Sequence, residues 1–164
     1  MRLATVILSS VVLLTAAADR LLGEDYLTKD GQLTKQLKVL QLRGGFAGFT
    51  GVQYTIALDG SWTLEGVFNK KITPKMKGKL SEKDLAKLGA LLDKYALAKL
   101  PKKSGKEPGA NPYIITFDFG GKKASLVGQT PPKLDPKNPT GTVESRFAGI
   151  WEGLTGLLVS RKDK

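Results

Sequence analysis

The sequence predicts an α+β domain: an antiparallel sheet of about five strands, in the order β-β-β-α-β-β-α, with two helices packed on one face. Three observations predict it. Apolar residues alternate along two pairs of segments, and each pair is joined by a short glycine turn. Apolar residues recur at helical spacing in two later segments. The length of 164 residues fits one domain with its own hydrophobic core.

The first three strands are predicted between residues 37 and 68. Residues 37–42 begin a strand pattern, with Leu37 and Val39 on one face and Leu40 and Leu42 on the other. Residues 52–58 alternate more clearly, which is typical of a half-buried strand. Asp59-Gly60 is a strong hairpin signal, and the third strand follows it. The inward side chains of that strand are expected to be Trp62, Leu64 and Phe68. Residues 69–79 are rich in lysine and interrupted by proline and glycine, so we expect a connection there.

The first helix is predicted to begin after Ser81, because a serine hydroxyl can cap the free amide of Asp84 and the carboxylate of Asp84 can answer it. Its buried side is predicted from the spacing of Leu85, Leu88, Leu92 and Tyr95. It should end before Pro101. Residues 102–111 are charged and contain glycine and proline, so they are expected to form a loop.

A second hairpin and a second helix complete the predicted domain. The hairpin turns at Gly120-Gly121, and its inward residues are Tyr113, Ile115, Phe117 and Phe119. Residues 143–158 have apolar side chains in helical register, but three glycines each lower the helix propensity by about 1 kcal/mol relative to alanine. This helix should therefore be stable only when it is docked on the rest of the domain.

The N-terminus predicts export. Met1-Arg2 is followed by an apolar run and then by three alanines, the pattern of a cleaved secretory signal. The alternative is an uncleaved anchor, but the run is shorter than the roughly 20 residues that span a bilayer. We therefore expect a secreted or periplasmic protein with no integral membrane segment after cleavage. The predicted divisions are a signal peptide at 1–18, a flexible segment at 19–36, the α+β domain at 37–158 and a basic tail at 159–164.

The composition excludes several classes of enzyme. The chain contains no histidine and no cysteine, so Ser-His-Asp and Cys-His catalysis, thiol chemistry and common zinc sites lack an essential residue. Asp118, Asp135 and Glu144 match no known ligand loop, and no serine lies in a Ser-Lys motif. Trp62 and Trp151 lie on apolar faces and are interpreted as core residues. We therefore expect no catalysis, cofactor or metal.

The positive charge indicates either a solvated surface or an anionic partner. Removing Arg2 with the signal leaves 25 lysines and arginines against 15 acidic residues, a net charge of +10. The cations are mostly lysines spread along the chain, without the arginine clusters and aromatic ladders of nucleic-acid sites. Nucleic acid is therefore not an expected partner, whereas an anionic wall polymer or lipid surface remains an alternative.

A glycine-rich stretch, residues 43–51, separates the first two predicted strands. It has the sequence Arg-Gly-Gly-Phe-Ala-Gly-Phe-Thr-Gly, with four glycines and two phenylalanines. Glycine allows a sharp turn and a close approach of another backbone. Phe46 and Phe49 are expected either to close the end of the core or to project as a recognition loop.

The order of four segments resembles the emfourin family. They are the Arg-Gly-Gly-Phe-Ala-Gly box at 43–48, the helix from Leu80-Ser81-Glu82-Lys83-Asp84-Leu85 through Leu91-Leu92, its exit at 95–101 (Tyr-Ala-Leu-Ala-Lys-Leu-Pro), and Tyr-Ile-Ile-Thr-Phe-Asp-Phe-Gly-Gly-Lys at 113–122. The resemblance covers about residues 38–158. The chain differs from the family pattern in its leader, an added segment at 61–79 and a strongly basic surface.

Emfourins are small bacterial inhibitors of thermolysin-like (M4, protealysin-type) zinc metallopeptidases, so the resemblance implies the same function here. Such peptidases cleave on the amino side of a bulky apolar residue, which Gly45-Phe46 offers. The expected mode is substrate-like: a loop held in an extended form, with Phe46 in the enzyme's pocket. The partner-binding residues are expected to be Arg43, Gly44, Gly45, Phe46, Ala47, Gly48 and Phe49. The alternative is a basic module that binds anionic polymer or lipid headgroups in the cell envelope.

Overall fold

The fold consists of one mixed sheet of seven strands and two helices. The structure is a computed structural model that describes residues 25–106 and 109–159. The predicted signal peptide, residues 19–24 and the end of the basic tail lie outside the described residues. The elements are β1 (Leu37–Gly45), β2 (Gly48–Ile56), β3 (Ser61–Phe68), β4 (Lys71–Lys79), α1 (Glu82–Lys94), β5 (Lys103–Gly105), β6 (Tyr113–Phe119), β7 (Lys122–Gly128) and α2 (Val143–Val159).

The strands lie in the order β4-β3-β2-β1-β6-β7-β5. Neighbours are antiparallel except β5, which pairs with β7 in parallel. The α+β class is confirmed, but the predicted five-stranded antiparallel sheet is wrong in strand number and in being purely antiparallel. Each of the two predicted hairpin turns, Asp59-Gly60 and Gly120-Gly121, joins neighbouring strands.

Both helices cover the same face of the sheet. The inner residues of β6 are buried as predicted, and Phe117 contacts Phe147 of α2 with 5.3 Å between ring centroids. Tyr54 of β2 makes an edge contact with Trp151 at 5.9 Å. The core includes inner residues of five strands (β1, β2, β3, β6 and β7) together with Leu85, Leu88, Leu92, Phe147, Ile150, Leu154 and Leu158 of the helices. This one-sided burial follows the alternation of apolar residues along the strands.

The capping box of α1 is confirmed. The Asp84 amide donates to the Ser81 hydroxyl at 3.3 Å, and the Ser81 amide donates to the Asp84 carboxylate at 3.3 Å. The helix ends at Lys94, and Ala96 follows in a left-handed conformation, with φ of 46°.

Two glycines allow α2 to lie close against α1. A Cβ on Gly149 would collide with the ring of Tyr95, and one on Gly153 would meet Leu91 at 2.5 Å. Arg146 joins the helices at the same crossing, because its Nε donates to the carbonyl of Tyr95 at 2.8 Å and its Nη2 to that of Ala96 at 2.6 Å. The glycines that weaken α2 in isolation are therefore needed where it docks.

Two predicted connections contain strands. Residues 71–79 form β4, which lies at the edge of the sheet, where a proline and several lysines are tolerated because only one side of the strand is paired. Pro74 pairs with Glu65 beside a register shift, so the proline coincides with a bulge. The predicted loop at 102–111 contains the short strand β5.

Residues 25–36 do not have the expected lack of structure. Tyr26 and Leu33 are buried in the core, and the Tyr26 hydroxyl accepts a hydrogen bond from the Ala98 amide at 2.8 Å. A bridge between Leu27 and Leu33 closes the segment on itself. Two isolated apolar residues in a polar segment give no periodic signal, which is why the sequence did not predict their burial.

We expect Arg146→Met to lower the free energy of unfolding by about 1.5–3 kcal/mol, because two carbonyls at the end of α1 lose a charged donor. Urea unfolding measures the change. Lys83→Met is the control, because Lys83 is exposed on α1 and should change stability by less than about 0.5 kcal/mol. Equal stability of the two variants would contradict the assigned role of Arg146.

We expect the Asp59 carboxyl to titrate near pH 2. Hydrogen bonds from the Ser61 hydroxyl and amide, and then from Lys79, favour the carboxylate and lower its pKa from 3.8 to about 2. Because the folded pKa is depressed, the contribution of this group to stability is complete above about pH 4 and is lost as the pH falls through about 2. NMR titration of the carboxyl carbon measures it, and Ser61→Ala should raise the midpoint; a midpoint near 3.8 in the parent chain would refute the assignment.

Candidate functional site

The tip of the β1–β2 hairpin presents Phe46 to solvent. β1 and β2 stay paired as far as Gly45 and Gly48, so only Phe46 and Ala47 form the turn. Most of the stretch predicted to be a flexible loop is therefore strand. The expected extended, substrate-like conformation is wrong for the same reason, because the chain reverses direction at Phe46.

Both phenylalanines of the stretch are exposed. Phe46 has a relative exposure of 111%, and Phe49 on β2 has 40%. The expectation that either closes the core is wrong, because Phe46 lies in the turn beyond the paired strands and Phe49 points to the face of the sheet opposite the helices. Phe68, predicted to point inward, is also 52% exposed, although it lies on the same face as buried Trp62.

Asn69 braces the hairpin tip from the neighbouring hairpin. Its side-chain oxygen accepts from the Phe49 amide at 2.8 Å, and its side-chain nitrogen donates to the Ala47 carbonyl at 2.9 Å. Its own amide donates to the Phe49 carbonyl at 2.9 Å. One residue thus holds the backbone on both sides of Gly48, and the sequence analysis did not identify it.

The backbone conformations of the β1–β2 and β3–β4 turns allow the contact between Asn69 and the hairpin tip. Asn69 and Lys70 have φ of 43° and 72°, the positive values that a type I′ hairpin turn requires at both positions, and asparagine tolerates them well. Gly48 has φ of 107°, and a Cβ there would collide with the Asn69 side chain. Glycine at position 48 is therefore required both by the backbone and by the brace.

The remaining predicted site residues point in different directions. Gly44 packs on Pro112, and its amide donates to the Pro112 carbonyl at 2.6 Å. Arg43 is exposed and pairs in register with Tyr113, whose pKa is raised by burial and lowered to a smaller extent by the charge of Arg43. Gly45 and Ala47 are exposed beside Phe46. The protruding part of the predicted site is thus Gly45, Phe46 and Ala47.

An apolar groove of about 390 Å³ lies below the tip, on the face of the sheet opposite the helices. Its walls include Leu40, Leu42, Phe49, Val67 and Ile72. Val67 is paired with both Gly51 and Ile72, so the groove runs across β2, β3 and β4. Ile72 is half exposed at the rim.

The alternative catalytic sets do not assemble. Asp118 accepts from the Gly121 amide and lies 3.8 Å from Lys123, whereas the Asp135 carboxylate accepts from the Lys137 amide. Across residues 25–106 and 109–159, no three histidine, cysteine or acidic side chains are grouped to hold a metal ion. In the same part of the chain, no helix is both long and apolar enough to cross a bilayer.

We expect Asn69→Gly to loosen the tip without unfolding the sheet. The variant keeps a residue suited to positive φ but loses both side-chain hydrogen bonds, so hydrogen exchange of the Phe49 amide should accelerate by at least about tenfold. The Ile115 amide in the central part of the sheet is the internal control.

Gly48→Ala extends the same test. It should destabilise the protein by more than about 1 kcal/mol, and less so when Asn69→Gly is also present, because part of the collision is then removed. Strictly additive effects of the two substitutions in urea unfolding would contradict the brace.

Comparison with protein-family models finds no match for this chain, and comparison with curated proteins finds no significant match either.

Proposed function

We propose that the protein is a non-enzymatic inhibitor of a thermolysin-like metallopeptidase and acts through the β1–β2 hairpin tip. The observation that carries the proposal is the full exposure of Phe46 on a tip that Asn69 already holds in place. A large aromatic side chain on a rigid support gains contact area on binding while little further backbone entropy is lost.

The chemistry of the tip fits a cleft that selects bulky apolar residues. Phe46 is flanked by Gly45 and Ala47, whose small side chains leave room for the walls of a cleft to approach. A fully exposed phenylalanine between two small residues can enter a deep apolar pocket. The resemblance of residues 38–158 to emfourins supports the choice of thermolysin-like enzymes as the class of target.

The tight turn favours an inhibitor that blocks the cleft over one that binds in the extended conformation of a substrate. A peptidase holds its substrate in an extended conformation, whereas the pairing of Gly45 with Gly48 reverses the chain around Phe46. To place the Gly45–Phe46 bond for cleavage, the tip would have to lose strand pairing and the hydrogen bonds to Asn69. We infer that Phe46 fills the specificity pocket while the bond before it stays out of reach, so the protein blocks the cleft without being cut. Export by the predicted signal peptide would bring it to exported peptidases.

Micromolar protein should inhibit a thermolysin-like peptidase, and Phe46→Ala should weaken inhibition by at least about 30-fold, the loss typical of an aromatic anchor. The melting temperature should not fall, because the Phe46 side chain makes no core contact. The inhibition constant from peptide hydrolysis measures the effect. It should change little between about 50 and 500 mM salt, since the contact is apolar.

Leu58→Ala is the matched control, because Leu58 is also an exposed apolar residue but follows β2 at the opposite end from the tip. It should leave inhibition unchanged. Absence of inhibition by the parent protein, or equal effects of the two substitutions, would reject the proposed function.

A further inference from the structure

The two neighbouring hairpin turns make one end of the sheet unusually apolar for a surface. We call residues 43–51 and 66–75 the double-hairpin end. It holds Phe46, Phe49 and Phe68, three of the six phenylalanines of the chain, and Ile72, which is 50% exposed. The other three phenylalanines are in the core. Large apolar side chains clustered on a surface usually mark a binding site.

The charges of the double-hairpin end all have the same sign. Arg43, Lys70, Lys71 and Lys75 are exposed, and neither segment contains an aspartate or glutamate. Arg43 and Lys75 line one shallow cleft. The nearest acidic residue in sequence, Glu65, accepts a hydrogen bond from Gln53 at 2.9 Å. Cations without carboxylates favour a partner with a high density of negative charge.

The apolar and cationic side chains are interleaved on one rigid support. Phe68 pairs with Lys71 on the helix side of the sheet, whereas Ile72 pairs with Val67 on the opposite side and lines the groove there together with Lys70. Each side of the β3–β4 turn therefore carries a large apolar side chain close to a lysine. The side chain of Asn69 forms hydrogen bonds to the β1–β2 tip, so the two turns form one rigid surface. An acidic polymer would satisfy the lysines but not the phenylalanines, and an apolar protein surface would leave the lysines without partners.

We propose that the double-hairpin end binds the surface of an anionic lipid bilayer, with Phe46, Phe68 and Ile72 at the acyl boundary and the four cations among the headgroups. A lipid interface is the partner that offers both apolar depth and negative charge at the spacing of adjacent side chains. Insertion is shallow, because the turns carry backbone polar groups that the hydrocarbon core would leave unsatisfied. This inference does not rest on inhibition of a peptidase.

The test places an indole at the tip by Phe46→Trp in the full chain and measures its quenching by lipids brominated on the acyl chains. Vesicles of phosphatidylglycerol and phosphatidylcholine in equal parts should quench the new indole and shift its emission to the blue, and vesicles of phosphatidylcholine alone should not. The native indoles should stay unquenched, because Trp62 is buried and Trp151 is partly buried, and the parent chain measures their constant contribution. Leu58→Trp, at the opposite end of the sheet, is the control and should not be quenched.

Three double variants separate binding to a bilayer from electrostatic adsorption to any anionic surface. Lys70→Asn with Lys71→Gln should weaken the partition of the tip roughly thirty-fold, at about fivefold for each charge. Lys83→Gln with Lys99→Gln, elsewhere on the surface, should have a much smaller effect. Phe68→Ser with Ile72→Ser should weaken partition by at least tenfold while the charge is unchanged.

Three results would overturn the proposal. Equal quenching at positions 46 and 58 would mean that the tip is not the contact. Quenching that does not depend on phosphatidylglycerol would remove the role of the cations. Partition that survives Phe68→Ser with Ile72→Ser but is lost on removal of the lysines, or by competition with soluble polyglutamate at equal charge, would identify an anionic polymer surface and not a bilayer.

Discussion

The two helices cover only part of one face of a seven-stranded sheet, and this unequal coverage decides which residues form the core and which reach solvent. Trp62, Tyr54 and the inner residues of β6 lie under the helices, whereas the β1–β2 and β3–β4 hairpins extend past them. Side chains that alternate correctly for burial, such as Phe68, are exposed there because neither helix covers them. The candidate site is therefore exposed because the hairpins of the sheet extend beyond the two helices that pack on it.

The two helices that pack on the sheet are held together by close contacts between α1 and α2. Gly149 and Gly153 reduce the intrinsic stability of α2, but they let Tyr95 and Leu91 approach it closely. Arg146 then satisfies the carbonyls at the end of α1, where the chain turns through Ala96. Local helix propensity is lower than it would be with alanine, and the docked pair is closer than alanine would allow.

Much of the fold could be predicted because its signals are local. The capping box at Ser81, the inward residues of β6 and the glycine turns depend on neighbouring residues, and they were identified. β4 was missed because lysines and Pro74 disfavour a strand everywhere except at an edge, and edge position depends on the whole sheet. Burial of Tyr26 and Leu33 was missed because long-range packing leaves no periodic pattern.

The sequence indicated where the candidate site lies, but not which of its side chains are exposed or that Asn69 supports its turn. Glycines and phenylalanines at 43–51 indicated a turn with two aromatic side chains, whereas their exposure depended on the register of the hairpin, which puts Phe46 in the turn and Phe49 on the face without helices. Asn69 followed by Lys70 resembles many turn sequences, and nothing local pairs Asn69 with Ala47 and Phe49, which lie 22 and 20 residues earlier in the chain. A brace between two hairpins can be recognised only when their register is known.

The close packing of Gly48 and Asn69 also has a consequence for evolution. A larger residue at position 48 would collide with the side-chain amide of Asn69. When Asn69 is replaced by a smaller residue, this collision is removed, and only the positive φ of position 48 still favours glycine there. The two positions are therefore expected to change together during divergence, although 20 residues separate them in sequence. Lineages that have lost the pair will have lost the fixed geometry of the tip, whatever residue they keep at position 46.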